Sequence, residues 1–131
     1  MKKAIVAVFL SAVSVLAAAV LIGGVQTQSA EVPQKADVTI PMSASRPGCE
    51  KENWCYTPPM ISTDAGKTIT WINDDSGFHT VTSGYYDKAD GMFDSGHIDP
   101  GKTFSYTFEK PGDFHYYCNL HPWMEGIVIV N

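Results

Sequence analysis

From Asp37 onward the chain is divided into short β-prone runs by turn-forming residues, and none of these runs has the period of an amphipathic helix. Asp37-Val38-Thr39-Ile40 alternates polar and apolar residues, as a half-buried strand does. Residues 60–63 and 68–73 are β-rich and flank Asp64-Ala65-Gly66-Lys67, which reads as a hairpin-like turn. Residues 78–83 follow the polar loop Asn73-Asp74-Asp75-Ser76-Gly77. Asp99-Pro100-Gly101-Lys102 turns into residues 103–108, whose aromatics alternate with small polar residues, and Lys110-Pro111-Gly112-Asp113 turns into residues 114–118. Residues 126–130 have the pattern of a short buried strand. Strands this short, at this spacing, predict an all-β sandwich or barrel.

The amino-terminal residues have a different character. Lys2 and Lys3 precede a charge-free run over residues 4–25 that is rich in Ala, Val, Leu and Ile. As a helix, that run would extend about 33 Å, close to the thickness of a bilayer's hydrocarbon core. Two readings stand for residues 1–30, a cleaved signal peptide and a retained membrane anchor. The length favours the anchor, and Thr27 and Ser29 offer only a mediocre cleavage site before Ala30. Both readings leave the lysines inside and the rest outside the cytoplasm, in the periplasm or at the cell surface. Residues 31–36 read as a polar linker, and residues 37–131 as one domain.

A domain of this size buries only about two-thirds of its unfolded surface, so a metal or a disulfide is a plausible staple. The formal charge of the whole chain is −5, and beyond residue 30 there are 7 basic against 14 acidic side chains. No basic stripe is present, which argues against nucleic acid. The acidity serves either to steer a basic protein partner or to keep the protein soluble.

Three cysteines lie in a chain expected in an oxidising compartment. Cys49 and Cys55, with five residues between them, read as a small disulfide loop; a metal-binding pair is the alternative, weakened by the lack of a nearby histidine. Cys118 is left over and needs a chemical role. Cys118-Asn119-Leu120-His121-Pro122-Trp123-Met124 spaces a thiol, an imidazole and a thioether three residues apart. The thioether suits copper, because Cu(I) favours soft sulfur and Cu(II) accepts imidazole; two histidines and a cysteine with a weak axial methionine form the blue-copper set. The set needs one more histidine, and His79, in Phe78-His79-Thr80-Val81, is the candidate.

These residues, with Phe93-Asp94-Ser95-Gly96 and Pro100-Gly101-Lys102-Thr103-Phe104, resemble the plastocyanin and amicyanin branch of the cupredoxins, most closely amicyanin in loop length. The resemblance spans residues 37–131. It implies an eight-stranded Greek-key sandwich and one type 1 copper cycling between Cu(I) and Cu(II). His79, Cys118 and His121 would be the equatorial ligands and Met124 the axial one. It also implies that the backbone N–H of Thr80 donates to the Cys118 sulfur. The Cys49–Cys55 insert departs from the family pattern.

On this reading the protein is a monomeric electron carrier rather than an enzyme. Redox donor and acceptor proteins would dock near His121, Pro122, Trp123 and Gly77. A copper delivery or storage protein using the same ligands is the alternative. Ordinary loop packing is the competing role for Trp123. His97 reads as a turn or surface residue. His115, an odd number of strand positions from Cys118, should face away from it. Met42, Met60 and Met92 read as core or edge residues, Trp54 and Trp71 as core, and Asp74 and Asp75 as members of a solvated loop.

Overall fold

The computed structural model describes residues 35–131. The expected signal or anchor helix, and most of the linker, lie outside the described residues. Among those described, no helix is long and apolar enough to cross a membrane.

Eight strands form two sheets: β1 (Val38–Ile40), β2 (Met60–Thr63), β3 (Lys67–Asn73), β4 (Thr82–Tyr85), β5 (Lys88–Asp94), β6 (Thr103–Phe108), β7 (Gly112–Tyr117) and β8 (Glu125–Val130). One sheet has the order β1-β3-β6 and the other β2-β8-β7-β4-β5. β1 runs parallel to β3, and β2 parallel to β8. A single 3₁₀ turn, Cys49–Lys51, interrupts the long connection from β1 to β2. The sandwich expected from the turn spacing is therefore present, with the number of strands that the resemblance implied.

The local reading needs two corrections. Asp64-Ala65-Gly66-Lys67 does not close a hairpin, because β2 pairs with β8 and β3 pairs with β1 and β6. The turn carries the chain from one sheet to the other. Residues 78–83 are not one strand either. β4 begins only at Thr82, and His79 makes a lone bridge to Ile98. β5, with four of its seven residues polar or glycine, has too weak an apolar alternation to be read as a strand.

The core follows from strand alternation. In β8 the side chains of Val128 and Val130 point inward, and in β3 those of Ile69 and Trp71 do so. Trp71, wholly buried, meets Tyr116 of the opposite sheet edge-on at 5.4 Å and Phe104 at 5.8 Å. Phe93 extends the cluster to Tyr106 at 4.6 Å. Truncating an aromatic in such a place costs roughly 3–5 kcal/mol, so the core holds the two sheets, and the loops at their ends, in fixed relation. Of the three methionines read as core or edge residues, Met60 and Met92 lie on the edge strands β2 and β5 and Met42 lies outside the strands, and all three are exposed.

Gly84 sits where the β4–β5 register breaks, at φ 108°. A Cβ there would come within 2.4 Å of the Lys88 carbonyl oxygen, a backbone atom that no side-chain rotation can move. Gly66 has φ 86° but open space around it. Gly66→Ala should therefore cost about 1–2 kcal/mol, the left-handed penalty alone, and Gly84→Ala about 3 kcal/mol or more once backbone overlap is added. Denaturant midpoints of the two variants check this, and equal losses would contradict the overlap.

Candidate metal centre

Two loops at one end of the sandwich bring the sequence-selected residues together. The first is the loop after β3. Asn73, buried at its start, donates from Nδ2 to the carbonyls of Gly77 (2.8 Å) and Ile98 (2.9 Å), and its Oδ1 accepts from the Asp75 amide (3.0 Å). This folds the loop back on itself and delivers His79, wholly buried, onto its bridge with Ile98. The second loop joins β7 to β8. It is closed by Cys118 N–H to Met124 O (3.1 Å), His121 N–H to Cys118 O (3.3 Å) and Met124 N–H to His121 O (3.0 Å). The Asn119 amide donates to Thr80 Oγ1 (2.9 Å), tying the second loop to the end of the first, just before β4.

The donor atoms converge. His79 Nδ1 is 3.8 Å from Cys118 Sγ and His121 Nδ1 is 3.5 Å from it, and all three atoms lie within 4.8 Å of one another. Two donors bound at about 2.0 Å (nitrogen) and about 2.3 Å (sulfur), at trigonal angles, would stand about 3.7 Å apart. The observed separations match that value, so the donor set fits one metal ion. Met124, the thioether of the same loop, is wholly buried. The Thr80 amide donates to Cys118 Sγ at 3.3 Å, as the resemblance implied.

The other candidates stand elsewhere. His115 stacks on Tyr85 at 4.7 Å, and His97 is exposed and stacks on Phe78 at 6.1 Å. Cys49 and Cys55 are bonded to each other, which removes the metal-pair alternative. Trp123 is half-buried and donates from Nε1 to the Ala44 carbonyl (3.2 Å), while its ring stands 5.4 Å from that of His121. Loop packing is thus its first role.

Asp75 is the residue that sequence reasoning misread. It is not solvated: only 2% of it is exposed, and its carboxylate accepts from the amides of Ser43 (2.9 Å), Ser45 (2.9 Å) and Ser76 (2.8 Å) and from His79 Nε2 (2.9 Å). Burial alone would raise its pKa. The hydrogen bonds from His79, Ser43 and Ser45 outweigh that and hold the carboxyl well below its ordinary value. The bond from Nε2 places the His79 proton on that nitrogen and leaves Nδ1 free as a ligand. The available signal was the four-residue spacing of Asp75 and His79, which bridges the turn of a loop as readily as that of a helix.

Comparison with known proteins gives the same reading. Residues 44–131 match the family described as copper binding proteins, plastocyanin/azurin family. An amicyanin from Paracoccus versutus is 30% identical over 104 residues, covering 79% of this chain and 76% of that protein. A halocyanin from Natronomonas pharaonis is 36% identical over 87 residues, covering 63% of this chain and 52% of that one. Among solved structures, a purple cupredoxin from Nitrosopumilus maritimus superposes with a TM-score of 0.67 at 33% identity, over 74% of this chain and all of that one.

Both imidazoles have a pH consequence in the metal-free protein. Burial, foremost, lowers each below the ordinary 6.5; Asp75 opposes this at His79, and at His121 the neighbouring His79 adds to it. The unfolded chain therefore binds more protons than the folded one as pH falls through 6.5, so stability is full above that value and declines below it. Asp75 acts with the same sign, its contribution being lost only in strong acid. The urea midpoint of the metal-free protein should be flat from about pH 8 to 7 and fall between about pH 6.5 and 5. A midpoint that rises across that window would contradict the assignment.

Proposed function

This chain belongs to the plastocyanin/azurin family of copper-binding proteins, and from that premise we propose that it carries single electrons between redox proteins outside the cytoplasm. His79, Cys118 and His121 would hold one copper, with Met124 as its fourth and weaker ligand. The observation that carries this reading is the convergence of two imidazole nitrogens and one sulfur within 4.8 Å, each held by protein bonds of its own.

Copper, when bound, supplies the one-electron change between Cu(I) and Cu(II). The chain's part is to keep the ligands still. His79 is fixed through Asp75, Cys118 through the Thr80 amide, and His121 and Met124 through the hydrogen bonds that close their loop. Little rearrangement then accompanies a change of charge. His79 is sealed from solvent and His121 is partly exposed, so His121 is the port. Exposed Phe78, Leu120 and Pro122 come from the same two loops and supply an apolar docking patch. A carrier rather than an enzyme fits the histidine inventory. Of the chain's four histidines two converge, and the other two stack on separate aromatics, so no second histidine site forms among the described residues. The Cys49–Cys55 disulfide supports an oxidising compartment, and residues 1–30 are the signal or anchor that would direct the chain there.

After copper loading and oxidation, the protein should show an intense band at the red end of the visible and an unusually small copper hyperfine splitting. Both should vanish in Cys118→Ser. A pale spectrum with ordinary splitting would remove Cys118 from the ligand set. The docking patch has its own test. Leu120→Glu sets like charges face to face when two copies meet, and should slow electron self-exchange, followed by NMR line broadening, roughly tenfold without altering the visible spectrum. An unchanged rate would place the port elsewhere.

A further inference from the structure

The segment between Pro41 and Tyr56 contributes no strand and no ligand, yet it touches the metal centre from several sides. The Ser43 and Ser45 amides both donate to the Asp75 carboxylate that holds His79. Between them, the Ala44 carbonyl accepts the Nε1–H of Trp123, the neighbour of His121. One three-residue turn is thus joined to both histidine-bearing loops. Further along, Cys49 Sγ lies 3.8 Å from the same Ala44 carbonyl, and Cys55 Sγ lies 3.9 Å from the Trp123 carbonyl. The Tyr56 hydroxyl donates to the Thr80 carbonyl at 2.7 Å, and the Thr80 amide in turn donates to Cys118 Sγ. Burial raises the Tyr56 phenol well above its ordinary value, with nearby Cys118 and Tyr116 adding to the effect, so it remains a neutral donor.

The turn is also strained. Ser43 has φ 74°, a conformation disfavoured for any residue with a Cβ. Such a conformation persists where its surroundings over-determine it, and here the Asp75 carboxylate accepts from the amide of Ser43 itself and from that of Ser45. The buried Ala44 and the buried Cys49–Cys55 bridge hold the turn from behind. Gly77 leaves room for it: a Cβ there would meet the Ser45 Cβ at 3.2 Å.

We propose that the Ser43–Ser45 turn, held closed by the Cys49–Cys55 disulfide, is a positioning element that fixes His79 and His121 relative to Cys118 and so sets how firmly the metal is retained. The proposal rests on the ligand assignment given above. It differs from ordinary loop packing, which would change the melting temperature and leave the centre alone.

Two variants test it, the double Cys49→Ser/Cys55→Ser and Trp123→Phe, the second keeping an aromatic ring but removing the indole donor to Ala44. Release of Cu(I) to a chelator should accelerate roughly tenfold in the double variant, within the range found when ligand-orienting partners are lost. It should accelerate by a smaller factor in Trp123→Phe, and the copper hyperfine splitting should widen in both. Wild-type release and splitting in a folded double variant, with only a lower melting temperature, would overturn the proposal. If the double variant does not fold, an unchanged release rate in Trp123→Phe overturns it. If the wild-type protein shows no type 1 spectrum, the ligand assignment fails instead. The turn is then judged on metal-free protein by amide hydrogen exchange at Ser43 and Ser45. Faster exchange in the double variant sustains the positioning role, and unchanged exchange refutes it.

Discussion

A carboxylate taken out of water must be met by donors or by a positive charge, and Asp75 is met by three backbone amides and one imidazole N–H. Removing any of those donors would leave part of a buried charge unmatched, so the four partners hold one another in place. The metal end depends on this. The bond fixes the tautomer of His79, seats the strained turn at Ser43 and shapes the loop that begins at Asn73.

Behind that end, the sandwich acts as a mount. Trp71 from one sheet and Tyr116 from the other meet in the core, and Tyr116 in turn touches Tyr56 at 4.8 Å. Tyr56 reaches Thr80, and Thr80 reaches the sulfur of Cys118. The path from core to ligand is therefore a few contacts long, and every member of it is fully buried. A ligand set held this way does not rely on the metal for its arrangement, which suits a centre whose charge changes while its shape stays constant.

Much of this was legible in the sequence, because local chemistry carried it. The Cys118–Met124 spacing joins three donors of one short loop, and no distant information is needed to see it. Pro-Gly turns cut the chain into strands visibly enough to give the sandwich. What failed was what depends on partners far along the chain. Asp64–Lys67 has hairpin composition, yet whether two flanking strands pair is decided by β8, β1 and β6. Asp75 lies in a run of polar residues that looks solvated, and its burial comes from amides some 30 residues earlier. β5 is polar because it is an edge strand, so the alternation that marks other strands is weak there.

The edges of the two sheets bear on how the protein meets others. β1 is three residues long, with Thr39 already bridged to Thr57. Pro58 and Pro59 precede β2, and β5 pairs irregularly with its neighbour and carries Lys88, Asp90 and Asp94. Short, proline-flanked or charged margins of this kind resist the strand-to-strand annealing that makes β proteins stick to one another, whereas the fourth margin, the six-residue β6, carries neither proline nor charge and is the edge left open to it.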